Sequence, residues 1–80
     1  MNREEIYTRL TRIFREVLDD DTIELHPETC ADDIEAWDSL THIQLIVAAE
    51  QEFGLHFTSR EIMKWQNVGE WVECIIRLSF

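Results

Sequence analysis

The sequence predicts an all-α domain, a bundle of four helices with a long first loop and a short third helix. Three observations predict it. The chain has 80 residues, room for one domain (residues 1–80) and no second. Its apolar residues recur at helical spacing in most of the chain, with no hairpin signal and no internal repeat. Only two Gly and one Pro interrupt it, and 45% of its residues are hydrophobic, enough for a packed core in a short chain.

In the first helix Ile6, Leu10, Ile13, Phe14 and Val17 fall on one face. Asn2 followed by Glu5 is a capping-box pattern at its start. The run Asp19-Asp20-Asp21 is expected to end it, because carboxylates oppose the negative end of the helix dipole. Residues 19–37 show no sustained period and include the single Pro. Ile23, Leu25 and Trp37 are expected to pin this long loop to the core.

The second helix begins at Asp38 or Ser39, either of which can cap it, and Gly54 suits a left-handed stop. It carries two apolar stripes: Leu45, Ile46, Ala49 and Phe53 on one, Leu40, Ile43 and Val47 on the other. The first serves a core, so the second is expected to face a partner. Thr58 with Glu61 opens a short helix through Ile62, Met63 and Trp65. Asn67 with Glu70 opens the last, with Val68, Trp71, Val72, Ile75 and Ile76 on one face.

Charge narrows the function classes. Seventeen acidic residues against seven basic give −10. Residues 19–37 hold eight acidic and no basic residues, and 38–54 hold three and none. Such a surface repels phosphate backbones and anionic lipid, so neither nucleic acid nor membrane is an expected partner, whereas a basic protein surface is. Cys30 and Cys74 do not make a disulfide framework, and the expected setting is the reducing cytoplasm.

Catalytic and metal chemistry find little support. His26, His42 and His56 lie far apart with no second ligand at zinc spacing, so no metal is expected. The Asp19-Asp20-Asp21 run lacks the glycine and the final glutamate of a calcium loop. Asp38, Ser39 and His42 are close in sequence, but a bundle this small is expected to offer little pocket for a hydrolase, and no catalytic residue is assigned. A serine at a helix start is commonly just a cap. It is also a hydroxyl displayed where a phosphodiester is favoured.

The stretch from Trp37 through Asp38-Ser39-Leu40 and the apolar helix to Phe53-Gly54 resembles the heart of an acyl carrier protein. The Asp-Ser-Leu triplet, the fourteen residues from Ser39 to Phe53 and the acidic 80-residue frame agree with that family in order and spacing, and the likeness covers nearly the whole chain. The resemblance implies a monomeric four-helix bundle of acyl-carrier type. Ser39 would carry covalent 4′-phosphopantetheine, installed by a phosphopantetheinyl transferase, with Asp38 helping to cap the turn. The arm would hold an acyl group as a thioester, supplied by an acyltransferase or adenylating ligase and consumed by a downstream synthase or transferase. Leu40, Thr41, Ile43, Gln44, Val47 and Met63 would form the docking surface.

The chain departs from the fatty-acid type of carrier. Ala36 stands where a glycine is usual, and Trp37 replaces a smaller residue. Thr41, Gln44 and Gln51 stand where acidic recognition residues are usual. These departures point to a polyketide-like or other specialised pathway. The alternatives are an aminoacyl or peptidyl carrier and, in a different class, a helical interaction module without a cofactor. Trp37 also has a plain packing role open to it.

Overall fold

A computed structural model describes residues 2–79. Among them are four α-helices and no strand: α1 (Arg3–Leu18), α2 (Ser39–Phe53), α3 (Ser59–Lys64) and α4 (Val68–Leu78), with a 3-10 turn at Ala31–Asp33 in the first loop.

Each helix begins at a side-chain cap. The Asn2 carbonyl oxygen accepts from the Glu5 amide at 2.7 Å, and Asn67 does the same for Glu70 at 2.9 Å. Thr58 and Glu61 form the reciprocal box expected of them. Glu70 does not: its carboxylate accepts from the Gln66 amide at 2.7 Å, one residue upstream of the cap. A cap of this kind is worth about 1 kcal/mol.

The helix ends correct two expectations. Helix α1 stops because Asp19 turns left-handed (φ 54), and the Asp20 amide then bonds back to Arg15 O at 3.0 Å. Aspartate tolerates that conformation better than most residues, so backbone geometry closes the helix where charge repulsion was expected to. Helix α3 ends at Lys64, and Trp65 is its extended cap rather than a helical residue. Gly54 is left-handed (φ 65), as a stop after α2 requires.

The core gathers Ile6, Leu10, Ile13, Phe14 and Leu18 from α1 with Leu45, Ile46 and Ala49 from α2 and Val68, Trp71, Val72, Cys74 and Ile75 from α4. Val17 and Ile76, expected in the core, are only half-buried; Leu18 and Cys74 take the deep positions. Ile23, Leu25 and Trp37 are buried, so three anchors fix the first loop. Polar contacts help them. Arg15 Nε donates to Ile23 O at 2.8 Å, and the first two amides of α4, Val68 and Gly69, donate to Thr29 O and Pro27 O at 2.8 and 2.9 Å. The loop thus satisfies two of the four amides that a helix start leaves open.

Candidate functional site

The site is the start of α2. Asp38 is its cap: one carboxylate oxygen accepts from the Leu40 and Thr41 amides at 3.0 and 2.9 Å. The Thr41 hydroxyl accepts from the Asp38 amide at 2.8 Å and lies 2.9 Å from Ala36 O, to which it donates. These bonds stabilise the ionised form, the Thr41 amide foremost, and hold the Asp38 carboxyl below its ordinary range. Ser39 is therefore not the cap. It is the first helical residue, exposed, and its hydroxyl has no hydrogen-bond partner among the described residues. The result is a free hydroxyl at the positive end of a fifteen-residue helix, with the neighbouring carboxylate already facing amide donors.

The two stripes of α2 separate as expected, except that Phe53, at the end of the inner one, is only half-buried. Leu45, Ile46 and Ala49 are buried, whereas Leu40 is 67% exposed, Ile43 61% and Val47 45%. Met63 of α3 is 84% exposed, and Gln44 is also open to solvent. Thr41 differs from the other docking candidates: it is half-buried and its hydroxyl belongs to the cap. At the far end of α2, Glu50 accepts from the Phe57 amide at 2.8 Å, and Glu52 pairs with Arg12 at 2.9 Å and Arg9 at 3.5 Å.

One expectation is overturned. A cleft of about 320 Å³ opens beside Ser39, with Trp37, His42, Trp65 and Trp71 in its wall. Asp38, Ser39 and His42 all line it, yet they do not form a relay. Asp38 faces the helix amides, and His42 Nδ1 accepts from Trp37 Nε1 at 3.0 Å. Burial holds the His42 imidazole below its ordinary value. That bond joins the loop to α2 across five residues. Neither helical nor strand periodicity encodes such a pair, so sequence reasoning missed His42 as the partner of Trp37. Among the described residues no cluster of three His, Cys, Asp or Glu could hold a metal ion, and no helix is long and apolar enough to cross a membrane.

A four-helix bundle that displays an unengaged serine at the start of its second helix, beside an exposed apolar stripe, has the form of a carrier domain. Residues 8–75 match the family model described as "Phosphopantetheine attachment site". The chain is 36% identical to an acyl carrier protein of Acidothermus cellulolyticus over 94% of this chain and 89% of that one. It is 35% identical to one from Rubrobacter xylanophilus, covering 95% and 94%. Its fold superposes on the solution structure of a holo acyl carrier protein from Geobacter metallireducens with a TM-score of 0.85 at 44% identity, covering 90% and 83% of the two chains. The chain belongs to the acyl carrier protein family, and its cofactor is covalently bound 4′-phosphopantetheine. Members of this family are carriers rather than catalysts.

Proposed function

We propose that residues 1–80 are one carrier domain, that Ser39 is its point of attachment, and that it serves an acyl-transfer pathway other than standard fatty-acid synthesis. The observation that carries the assignment of Ser39 is its exposed and unengaged hydroxyl at the start of α2. A transferase has to reach that oxygen and deprotonate it, and no intramolecular bond has to be broken first. The helix start then favours the phosphodiester's negative charge, and the Asp38 cap fixes the backbone on which it sits.

The chain itself performs no chemistry in this reading. The arm supplies a thiol on which an acyl group is both activated and portable, and tethering raises its concentration at a partner's active site. Partners are a phosphopantetheinyl transferase, an acyltransferase or adenylating ligase, and a downstream synthase or transferase. They read the exposed stripe of Leu40, Ile43 and Val47, with Gln44 beside it and Met63 on α3. Asp32 and Glu35 give the loop side of the serine an exposed acidic flank, whereas α3 offers exposed Arg60 and Lys64. A partner is steered by charge on two sides and seated by apolar contact between them. The neutral residues Thr41, Gln44 and Gln51 support a pathway outside fatty-acid synthesis. The domain works as a cytoplasmic monomer.

The test is intact-protein mass spectrometry after incubation with coenzyme A and a broad-specificity phosphopantetheinyl transferase. One phosphopantetheinyl adduct is expected on the wild type and none on Ser39→Ala. An undiminished adduct on that variant refutes the assignment.

A further inference from the structure

Helix α3 buries none of its six residues. Glu61 and Ile62 are half-buried, whereas Arg60, Met63 and Lys64 are exposed and share the outward face at helical spacing. Met63 is more exposed than Leu40, Ile43 or Val47 on α2. The two cations beside it differ from the rest of the chain's basic residues. Arg3, Arg9, Arg12 and Arg77 each pair with a glutamate, and Arg15 donates to Ile23 O. Arg60 and Lys64 make no ion pair and no side-chain hydrogen bond among the described residues, in a chain with seventeen carboxylates. Glu61, the one acid of α3, is engaged by its own cap and by Arg77.

Either cation alone is an ordinary solvated side chain. Their placement together carries more. They flank an exposed methionine, a flexible apolar group that adapts to the shape of a partner, and their own stems extend that apolar area. Trp65 and Gln66, directly after α3, line the cleft that Ser39 borders, so this face adjoins the serine. The first loop, with eight acidic residues and no basic one, repels an anionic surface. Such a surface finds its counter-charge on α3.

We propose that the outward face of α3 recognises an acidic partner enzyme, through a segment whose carboxylates pair with Arg60 and Lys64 and whose apolar side chain between them seats on Met63. This rests on the docking reading of the proposed function and names the chemistry of one partner. An acidic enzyme is held off by the first loop and admitted from the α3 side, and a basic enzyme meets the reverse preference. One serine is thus presented to two charge classes of enzyme in two orientations.

The test places a photoreactive benzophenone side chain at Met63, and in a second protein at Val47, in holo protein verified by mass. Each is irradiated in lysate of the source cells, and the crosslinked peptides are sequenced by mass spectrometry. The enzyme caught from Met63 is then purified and its acyl transfer with the unlabelled carrier is measured. The Met63 crosslink is expected in a segment rich in carboxylates, and to be lost when Arg60→Glu and Lys64→Glu are combined. That double variant is expected to raise KM for the carrier about tenfold with kcat little changed, and lysines in place of the partner's carboxylates should restore it. A Met63 crosslink to a neutral or basic segment, or an unchanged KM in the double variant, overturns the inference. So does a crosslink from Val47 with none from Met63, which leaves the docking reading intact. No crosslink from either position refutes the docking reading, and this one with it. Binding to phosphatidylglycerol vesicles that the double variant loses would assign the face to a membrane and also overturn the inference.

Discussion

Protonating His42 should destabilise the fold, and the bond it shares with Trp37 sets the size of the effect. Trp37 is buried, packs edge-on against Phe14 at 4.9 Å, and donates Nε1–H to His42 Nδ1 at 3.0 Å. A proton on Nδ1 turns that acceptor into a donor. Burial already holds the folded imidazole below the ordinary 6.5. Below that pH the unfolded chain binds the proton more readily than the folded one. Stability is therefore fully present above 6.5, falls as pH drops through the window beneath it, and levels off below the depressed folded value. A folded state that refused the proton altogether would lose about 1.4 kcal/mol per pH unit. His42 is only half-buried, and with water screening the rest a loss of about 0.5 kcal/mol between pH 7.5 and 5.5 is expected. The carboxyls of Asp20, Asp38 and Glu61 are lowered below ordinary carboxylate values, so their contribution is lost in a separate, more acidic window. Urea unfolding followed by circular dichroism at the two pH values measures the difference. His42→Gln retains an acceptor without titrating and should flatten this part of the dependence. His42→Leu leaves the Trp37 indole unpaired and should cost about 1–3 kcal/mol at pH 7.5. An unchanged pH dependence in His42→Gln would refute the reasoning.

Three other perturbations follow from the geometry. In Gly69→Ala the new Cβ would lie 2.8 Å from Pro27 O, in backbone that is itself bonded to the Gly69 amide, so a loss of about 1–3 kcal/mol in urea unfolding is expected. Asp38→Ala removes the acceptor for two amides and should lower the urea midpoint, with Asp38→Asn recovering most of the loss. Leu40→Asp and Val47→Asp should slow phosphopantetheinylation or acyl loading while the helical circular dichroism stays unchanged; a collapse of that signal would place these residues in the core instead.

The helices were legible because each cap and each buried stripe is a local pattern. Asn2, Thr58 and Asn67 precede their helices by one residue, and Leu45, Ile46 and Ala49 repeat at the period of the helix they belong to. The site was legible in part for the same reason: Ser39 and the outward stripe sit on one element. Its surroundings were not. The cleft is made by residues of the first loop, α2, the turn after α3 and α4, brought together only by folding. Which of Asp38 and Ser39 caps α2 depended on backbone angles, since both residue types cap helices well. Glu70 reaching Gln66 instead of Asn67 is a choice between adjacent amides that sequence leaves open.

The arrangement of α2 separates stability from recognition. A helix with two apolar stripes buries only one, so Leu40, Ile43 and Val47 contribute little to the fold while exposing apolar surface to water. The compensation lies elsewhere. Trp71 lies at the centre of an aromatic cluster with Phe14, Phe57 and Trp65, and Trp37 joins it by packing on Phe14. Glu50 and Glu52, the only carboxylates within α2, are tied to the Phe57 amide and to Arg9 and Arg12, which leaves the outward face neutral along its length. The loop that approaches Ser39 holds eight of the seventeen acidic residues and no basic one, and α3 offers exposed Arg60 and Lys64. In the proposed function a change in the outward stripe would therefore alter which surface can dock, and a change in the aromatic cluster would alter whether the bundle holds. Because the stripe lies on α2 and the aromatic residues come from α1, α4 and the connecting segments, their effects on stability should add rather than couple, whereas their effects on carrier activity would meet only at the start of α2.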